Sequence, residues 1–278
     1  IQAYVGARVP WEKRGLAVGL IEFAWAGSTL LGIPLIGWLI GRYGWRSPFL
    51  LLAAFGGVSF TLLALILPRV PSARPAGPAG IGLTQAWRLL ARRRPALGAL
   101  GYSVCFHMAN DSLFVVYGAW LEKDFQLPHA ALGSATIVIG AAELLAEALI
   151  AFFADRIGLV RSAVGGVALT AVAFLLLPAV SRTLPLALGA LFFAFLAFEF
   201  TVVTAMGLFT EVLPGARGTM MGMLAATSGT GRMLGALMGG YVWLWGGLAA
   251  TGTVAAALSL CALGSLVWGL RGWHPRSA

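Results

Sequence analysis

Long apolar runs follow one another along the chain, and short stretches with charged residues, glycine or proline separate them. A membrane-spanning helix needs roughly 20 mainly apolar residues. Eight segments satisfy this requirement, at about residues 15–41, 48–68, 96–121, 131–153, 160–180, 184–208, 217–241 and 247–270. None of them alternates apolar and polar residues in the way that a membrane barrel strand does. The pattern therefore predicts an all-α integral membrane protein with eight transmembrane helices.

Composition and charge agree with this class. Hydrophobic residues make up 59% of the 278 residues and charged residues only 10%, whereas soluble domains carry about 25% charged residues. The net charge of +9 does not indicate nucleic-acid binding, because the basic residues flank the apolar runs. Alternating spans place fourteen of the 19 Lys and Arg residues on one side and four on the other. The richer side should be cytoplasmic, so we expect a multi-pass protein of the cell inner membrane with both ends of this chain in the cytoplasm.

One connection is longer than the others and divides the chain. Residues 69–80 are rich in Pro, Gly and Ala, and residues 81–95 carry Trp87 among several arginines. The basic stretch has two interpretations: a short amphipathic helix at an anionic cytoplasmic surface, or a solvated loop. We therefore expect two spans in 1–68, a central cytoplasmic linker in 69–95 and a six-helix unit in 96–278.

The two parts of the chain share a weak repeat with an offset of 203 residues. Arg14-Gly15, Gly19, Leu31-Gly32 and Gly37 match Arg217-Gly218, Gly222, Leu234-Gly235 and Gly240, and Pro10 and Pro214 precede the two stretches. Repeated halves are typical of transporter folds. Chance matching in a glycine-rich chain is the alternative.

Three motifs resemble those of the major facilitator superfamily. Pro10-Trp11-Glu12-Lys13-Arg14-Gly15 resembles the loop into its fifth helix, and Gly27…Gly32-Ile33-Pro34-Leu35-Ile36-Gly37 is similar to the glycine-proline motif of that helix, common in exporters. Ala154-Asp155-Arg156-Ile157-Gly158-Leu159-Val160-Arg161 resembles the loop between helices eight and nine. It departs from that loop because Ala151 replaces the first glycine and two residues intervene before Arg161.

The resemblance implies that the chain corresponds to helices 5–12 of a twelve-helix fold, with the linker between the two halves. The first four helices are absent from this sequence, and members of the family need both halves to form their central cavity. The complete protein is expected to be a monomer in the lipid bilayer. A cytoplasmic gate is implied at Asp155, Arg156, Gly158 and Arg161, and the small residues and proline of the glycine-rich spans suit helix packing, at Gly27, Gly32, Pro34, Gly37, Gly235 and Gly240.

Ionisable side chains inside a span are costly and usually functional. Ser103, His107, Asn110 and Asp111 are three or four residues apart and form one polar stripe on an apolar helix. An imidazole and a carboxylate one turn apart suit proton transfer or a polar substrate. A purely structural hydrogen-bond cluster is the alternative.

Besides Glu22, for which we expect an interfacial role, three further acids and Arg232 lie within predicted spans. Glu143 and Glu147 are one turn apart, and two nearby carboxylates in a low dielectric do not readily both ionise. We place Glu143 in the proton or substrate pathway, whereas Glu147 either joins it or pairs with a loop arginine. Arg232 needs an acidic partner, for which Glu143 and Glu199 are the candidates. The predicted proton or substrate pathway therefore consists of seven residues: His107, Asn110, Asp111, Glu143, Glu147, Glu199 and Arg232.

No metalloprotease, Walker or dinucleotide-binding sequence is present, so we expect no enzyme activity, no cofactor and no metal. The sequence favours a secondary active transporter that moves a small molecule by alternating access, with proton-coupled efflux as its mode. The alternatives are an uncoupled facilitator of the same fold and a truncated protein that needs a partner or is inactive. A more distant alternative is an intramembrane enzyme with His107 and Asp111 as metal ligands.

Overall fold

The computed structural model describes residues 27–66, 83–150, 158–213 and 217–273. These residues form helices and short turns, and no β-strand occurs among them. A π-helical segment at Ser28–Gly32 continues directly into α1 (Ile33–Tyr43). The other helices are α2 (Ser47–Ile66), α3 (Leu83–Ala91), α4 (Arg94–Phe114), α5 (Tyr117–Phe125), α6 (His129–Ala135), α7 (Ile137–Leu149), α8 (Leu159–Val180), α9 (Leu184–Thr210) and α10 (Arg217–Leu270).

Within the described residues, five helical stretches are long and apolar enough to cross a membrane: α2, Ala131–Leu149, α8, α9 and Gly218–Leu270. The last of these breaks at Gly246 and Gly247, where φ reaches 59° at Gly247. A straight helix of 54 residues would be about 80 Å long, far more than the ~30 Å hydrocarbon core. α10 therefore consists of a first limb (217–245) and a second limb (248–270), which correspond to two predicted spans.

The count of eight spans stays a prediction. The first predicted span begins at residue 15, outside the described residues, and only its end is seen in α1. The predicted span at 96–121 corresponds to α4 and part of α5, and the polar stripe lowers its hydropathy. The described part of the chain therefore establishes an all-helical, multi-pass architecture.

Two spans that the sequence predicts as continuous helices contain a local break. Between α4 and α5, the Val116 N–H bonds to the Leu113 carbonyl three residues back, and Val116 follows another β-branched residue of low helix propensity. Between α6 and α7, the Thr136 hydroxyl donates to the Gly133 carbonyl. Such a side-chain bond competes with the helical backbone ladder, so each break has a local cause.

α4 packs against the first limb of α10 through backbone contacts at glycines. A Cβ at Gly235 would lie 2.5 Å from the Met108 carbonyl oxygen, and one at Gly239 would lie equally close to the Ser112 carbonyl oxygen. Gly231 faces Val104 in the same way, four residues earlier on each helix. Small residues at this spacing let membrane helices approach closely. The residue numbers rise together, so the two helices run parallel.

The second limb of α10 packs on the start of α4 and runs antiparallel to it. A Cβ at Gly98 would lie 2.5 Å from Gly269 Cα, and Ser265 Oγ donates to the Gly98 carbonyl at 3.0 Å. α4 is thus held between the two limbs of α10.

The part of the chain before the linker contacts the later part through α1 and its π-helical segment. A Cβ at Gly133 would meet Gly37 Cα at 3.0 Å and Pro34 Cα at 3.3 Å. On α7, a Cβ at Gly140 would meet Leu30 at 3.0 Å. Backbone contacts without intervening side chains therefore join the two parts.

α2 is apolar on all sides, and most of its large side chains are exposed. Such a helix faces lipid or further protein segments. At helix ends, arginine and lysine lie over tryptophan rings: Arg46 over Trp45, Arg94 over Trp268 and Lys123 over Trp243, at 5.0–5.5 Å from the ring centroids. Aromatic and basic residues are typical of the membrane–water interface.

The basic stretch after residue 80 is helical over Leu83–Ala91. This agrees with a short helix and not with a solvated loop, the two interpretations of the sequence. Leu90 is fully buried against the core, whereas Trp87 and Arg88 are exposed. Its location at an anionic membrane surface stays a prediction.

Candidate functional site

Asp111 of α4 and Arg232 of the first limb of α10 form an ion pair, with 3.3 Å between Asp111 Oδ1 and Arg232 Nε. Asp111 is buried, whereas 45% of the Arg232 side chain is exposed. Exposure of one partner weakens an ion pair relative to a fully buried one. The pair therefore joins two helices, and part of the Arg232 side chain stays exposed.

Glu143 and Glu199 were the sequence-based candidates, and Glu143 lies within electrostatic reach of Arg232, but the ion pair seen among the described residues joins Arg232 to Asp111. The cause is the close contact of α4 with α10, since a Cβ at Gly235 would lie 3.1 Å from Asp111 Cβ. Gly235 is three residues after Arg232, so the Asp111 Cβ lies beside the helical turn that carries the arginine. The spacing of residues along one helix does not reveal which helices are neighbours.

Two oxygens at this site lack a hydrogen-bond partner among the described residues. Asp111 Oδ2 and Asn110 Oδ1 are both buried and accept no hydrogen bond there. Buried polar atoms are nearly always hydrogen-bonded, and exceptions have a specific cause. A proton on Asp111 Oδ2 would turn this oxygen into a donor and remove the charge that holds Arg232.

His107 lies one turn before Asp111 on α4. Its Nδ1 is 2.8 Å from the Ser103 carbonyl oxygen, so Nδ1 carries the hydrogen and a neutral ring has its lone pair at Nε2. Ser103 Oγ donates to the Leu224 carbonyl of α10 at 3.4 Å, and the His107 ring packs edge-on against Phe198 of α9. Three members of the polar stripe therefore face α9 and α10.

Glu143 of α7 connects this charge cluster to the π-helical segment. The Thr29 hydroxyl donates a hydrogen bond to the Glu143 carboxylate, and both Glu147 and Arg232 are within electrostatic reach of that carboxylate. Glu143 Oε2 is buried without a partner in the described part of the chain. Asp111 and Glu143 therefore both act on Arg232, one in direct contact and one at longer range.

The π-helical segment has an identifiable origin in the sequence. Pro34 has no N–H to bond to the Leu30 carbonyl, which removes one bond of the α-helical ladder. The Ile33 N–H bonds to the Ser28 carbonyl, five residues back. Segments of this kind occur frequently at functional sites, and here the segment carries Thr29.

The other predicted pathway acids lie nearby on different helices. Glu147 is half-buried on α7, one turn after Glu143. Glu199 is half-buried on α9 and is within electrostatic reach of Tyr102. The seven predicted pathway residues thus occupy α4, α7, α9 and the first limb of α10.

A cavity of about 210 Å³ lies between α4, α9 and the first limb of α10. Its walls are mainly aromatic, aliphatic and methionine side chains, and its polar groups include Tyr102, Ser103 and His107. The Tyr102 hydroxyl is buried and makes no hydrogen bond within the described residues. The cavity therefore offers an apolar surface with a few hydrogen-bonding groups, as small-molecule sites commonly do.

Two of the four predicted gate residues can be placed. Gly158 precedes α8 with φ 91° and ψ 132°, a conformation that favours glycine. Arg161 is exposed in the first turn of α8. Asp155 and Arg156 lie outside the described residues.

The six predicted packing positions divide into two groups. Pro34, Gly37 and Gly235 make the close contacts described above. At Gly27, Gly32 and Gly240, an added Cβ would meet no atom of the described residues within 4 Å. Of the matched pair Gly37 and Gly240, Gly37 therefore lies at a close helix contact with Gly133, and no such contact is seen at Gly240 among the described residues.

Sequence reasoning missed three groups of this site. Thr29 lies within the glycine-proline motif, and the spacing of the glycines there gives no sign of its contact with Glu143. Tyr102 precedes Ser103 in an apolar span, and the burial of its hydroxyl without a partner among the described residues follows only from the packing. Gly231 carried a usable signal, because it lies four residues before Gly235 on the same helix.

Replacing Thr29 by valine is expected to lower the thermal stability of the protein, because Glu143 would lose its buried donor. A lost hydrogen bond to a charged group costs about 1.5–3 kcal/mol. Thr29→Ser, which keeps the hydroxyl, should retain most of the stability. Melting temperatures in detergent that fall equally in both variants would contradict the assigned hydrogen bond.

Comparison with known proteins places this chain in a family. A family model described as Major Facilitator Superfamily matches residues 1–117 and 99–277. Three uncharacterized MFS-type transporters of Bacillus subtilis (strain 168) are similar to the chain. YceJ is 25% identical over 228 residues, which are 81% of this chain and 57% of that protein. YwfA is 26% identical over 93% of this chain and 63% of its own length, and YbcL is 24% identical over 64% and 45%.

The chain belongs to the Major Facilitator Superfamily, whose members are transporters. The resemblance seen in the sequence motifs is thereby confirmed. The matched regions span between 45% and 63% of the length of these three relatives.

Proposed function

We propose that the complete protein is a secondary active transporter that exports a small molecule across the cell membrane by alternating access, in exchange for protons. The observation that carries the proposal is the Asp111–Arg232 pair, in which one carboxylate oxygen is buried and has no hydrogen-bond partner among the described residues. Ionisable groups inside a membrane bundle commonly mark ion or substrate pathways.

The mechanism follows from competition for Arg232. While Asp111 is ionised, it holds Arg232 and thereby joins α4 to the first limb of α10. Protonation of Asp111 removes this attraction, and Arg232 then interacts more strongly with Glu143, which is already within electrostatic reach. Two discrete charge arrangements bias two conformations of the bundle.

Glu143 transmits this change to the other part of the chain. Its carboxylate accepts a hydrogen bond from Thr29, and Thr29 lies in the segment that packs on α7. A shift in the Arg232–Glu143 interaction therefore acts directly on the contact between residues 27–43 and α6–α7. Relative motion of two such parts is the basis of alternating access.

The lining of the cavity between α4, α9 and the first limb of α10 is the basis for the proposed class of substrate. Its aromatic and methionine surface, with Tyr102, Ser103 and His107 as polar groups, favours a small amphipathic compound. Binding there brings the substrate beside His107, one turn from Asp111. We place both ends of the chain in the cytoplasm, because the positive-inside rule assigns the more basic loops to that side.

Proton coupling is tested with the complete protein in sealed vesicles, with ethidium as an amphipathic probe. An imposed pH gradient is expected to drive ethidium accumulation, and nigericin should abolish that accumulation. Equal flux with and without the gradient would contradict the proton exchange and favour an uncoupled facilitator. No flux of ethidium or other amphipathic probes would contradict the proposed substrate class.

A further inference from the structure

A second cavity, of about 440 Å³, opens on the outer surface of the helix bundle between α8 and α9. Its walls are almost entirely apolar and include Leu169, Phe193, Leu196 and Phe200. Leu169 and Phe193 are more than half exposed, so the cavity is open to the surrounding lipid. It is separate from the cavity that contains His107.

One end of this crevice is positively polarised. Arg161 lines it and is exposed, and α8 begins beside it without a side-chain cap at Gly158 or an acidic residue in its first turn. The first N–H groups of a helix carry a partial positive charge and bind anions. An anion at this end would meet both the guanidinium and the helix N-terminus.

A second observation points to a ligand at the same place. Ser162 lines the crevice and is 95% buried, since its relative exposure is 5%. Its hydroxyl makes no hydrogen bond within the described part of the chain. A buried hydroxyl without a partner needs an explanation, and a polar ligand group between Arg161 and Ser162 would provide one.

The length of the crevice matches one leaflet. From Arg161 to Ala173, both of which line it, the helix rises by about 18 Å. Half of the hydrocarbon core is about 15 Å thick. A lipid with its phosphate at Arg161 would therefore extend an acyl chain along the whole crevice. Gly165 forms part of the wall, and an added Cβ there would meet no atom of the described residues within 4 Å.

We propose that this crevice is a binding site for an anionic phospholipid, with the phosphate at Arg161, Ser162 and the start of α8 and one acyl chain between α8 and α9. Sequence-based orientation places Arg161 on the cytoplasmic side, where anionic lipids are enriched. The site does not depend on the coupling mechanism proposed above.

The test measures lipid retained by the complete protein after purification from nanodiscs that contain equal amounts of phosphatidylglycerol and phosphatidylcholine with identical acyl chains. Native mass spectrometry is expected to show preferential retention of phosphatidylglycerol. Arg161→Gln should lower this preference about fivefold, which corresponds to ~1 kcal/mol for one cation near the surface. Gly165→Leu, which fills the crevice without altering charge, should lower retention of phosphatidylglycerol as well.

Gly264→Leu is the matched control, because Gly264 is exposed on the second limb of α10 and an added Cβ there also meets nothing within 4 Å in the described part of the chain. It should retain lipid as the unaltered protein does. Equal retention of the two lipids, or unchanged retention in Gly165→Leu, would overturn the proposal. Displacement of the lipid by millimolar inorganic phosphate alone would also overturn it, because it would show a site for a free anion.

Discussion

Replacing Gly235 by alanine is expected to destabilise the helix bundle. The new Cβ would lie 2.5 Å from the Met108 carbonyl oxygen and 3.1 Å from Asp111 Cβ. Neither neighbour is the flexible end of a side chain, so the two helices must separate. Overpacking of this kind costs about 1–3 kcal/mol, and the melting temperature of the purified protein measures it.

The matched control for this substitution lies on the same limb. Gly240→Ala adds the same methyl group where no atom of residues 27–66, 83–150, 158–213 or 217–273 lies within 4 Å, and alanine has the higher helix propensity. We expect Gly240→Ala to be neutral or slightly stabilising. Equal melting temperatures of Gly235→Ala and Gly240→Ala would contradict the close packing of α4 on α10.

Neutralising Asp111 with asparagine is expected to abolish transport driven by a pH gradient. The amide keeps the shape of the side chain but carries neither the charge that holds Arg232 nor a titratable proton. The exchange Asp111→Arg with Arg232→Asp restores the attraction in reverse and should recover more folded protein than either single substitution. Vesicle flux and the yield of monodisperse protein are the two measurements.

The control for charge alone is Glu122→Gln, since Glu122 is an exposed carboxylate on α5, away from the Asp111–Arg232 pair. This variant should transport normally. Because Arg232 is half-exposed, the direct contribution of the pair to stability is expected to be about 1 kcal/mol or less. A large loss of folded protein in Asp111→Asn would show that the pair acts mainly as a structural link.

Much of the helical architecture was predictable because it depends on local composition. The apolar runs at 48–68, 160–180 and 184–208 agree closely with α2, α8 and α9, since burial in lipid requires a continuous apolar helix. The breaks at Val116 and Thr136 were not foreseen. They arise from single β-branched or hydroxyl side chains whose effect on an otherwise helical run depends on local geometry.

The candidate site was predictable residue by residue but not as an arrangement. The polar stripe on α4 followed from helical spacing, and Arg232 was notable as a charge within a span. Its pairing with Asp111 required knowledge of which helices are adjacent, and that adjacency is set by Gly231, Gly235 and Gly239 on α10. The link from Glu143 to Thr29 depends likewise on a contact between segments more than 100 residues apart in sequence.

The central claim is that the protonation state of Asp111 selects between two conformations of the transporter. It is tested most directly by electron paramagnetic resonance distances between spin labels at Tyr43 and Arg182, which are both exposed and which the predicted topology places on the extracellular side. The complete protein, with Cys105 and Cys261 replaced by alanine, is labelled and reconstituted at acidic and at mildly alkaline pH. We expect two distance populations. Their ratio should change with pH in the labelled protein that keeps Asp111, and it should not change with pH when Asp111→Asn is added. A ratio that does not change with pH in the labelled protein that keeps Asp111, or that still changes with pH in Asp111→Asn, would contradict the claim.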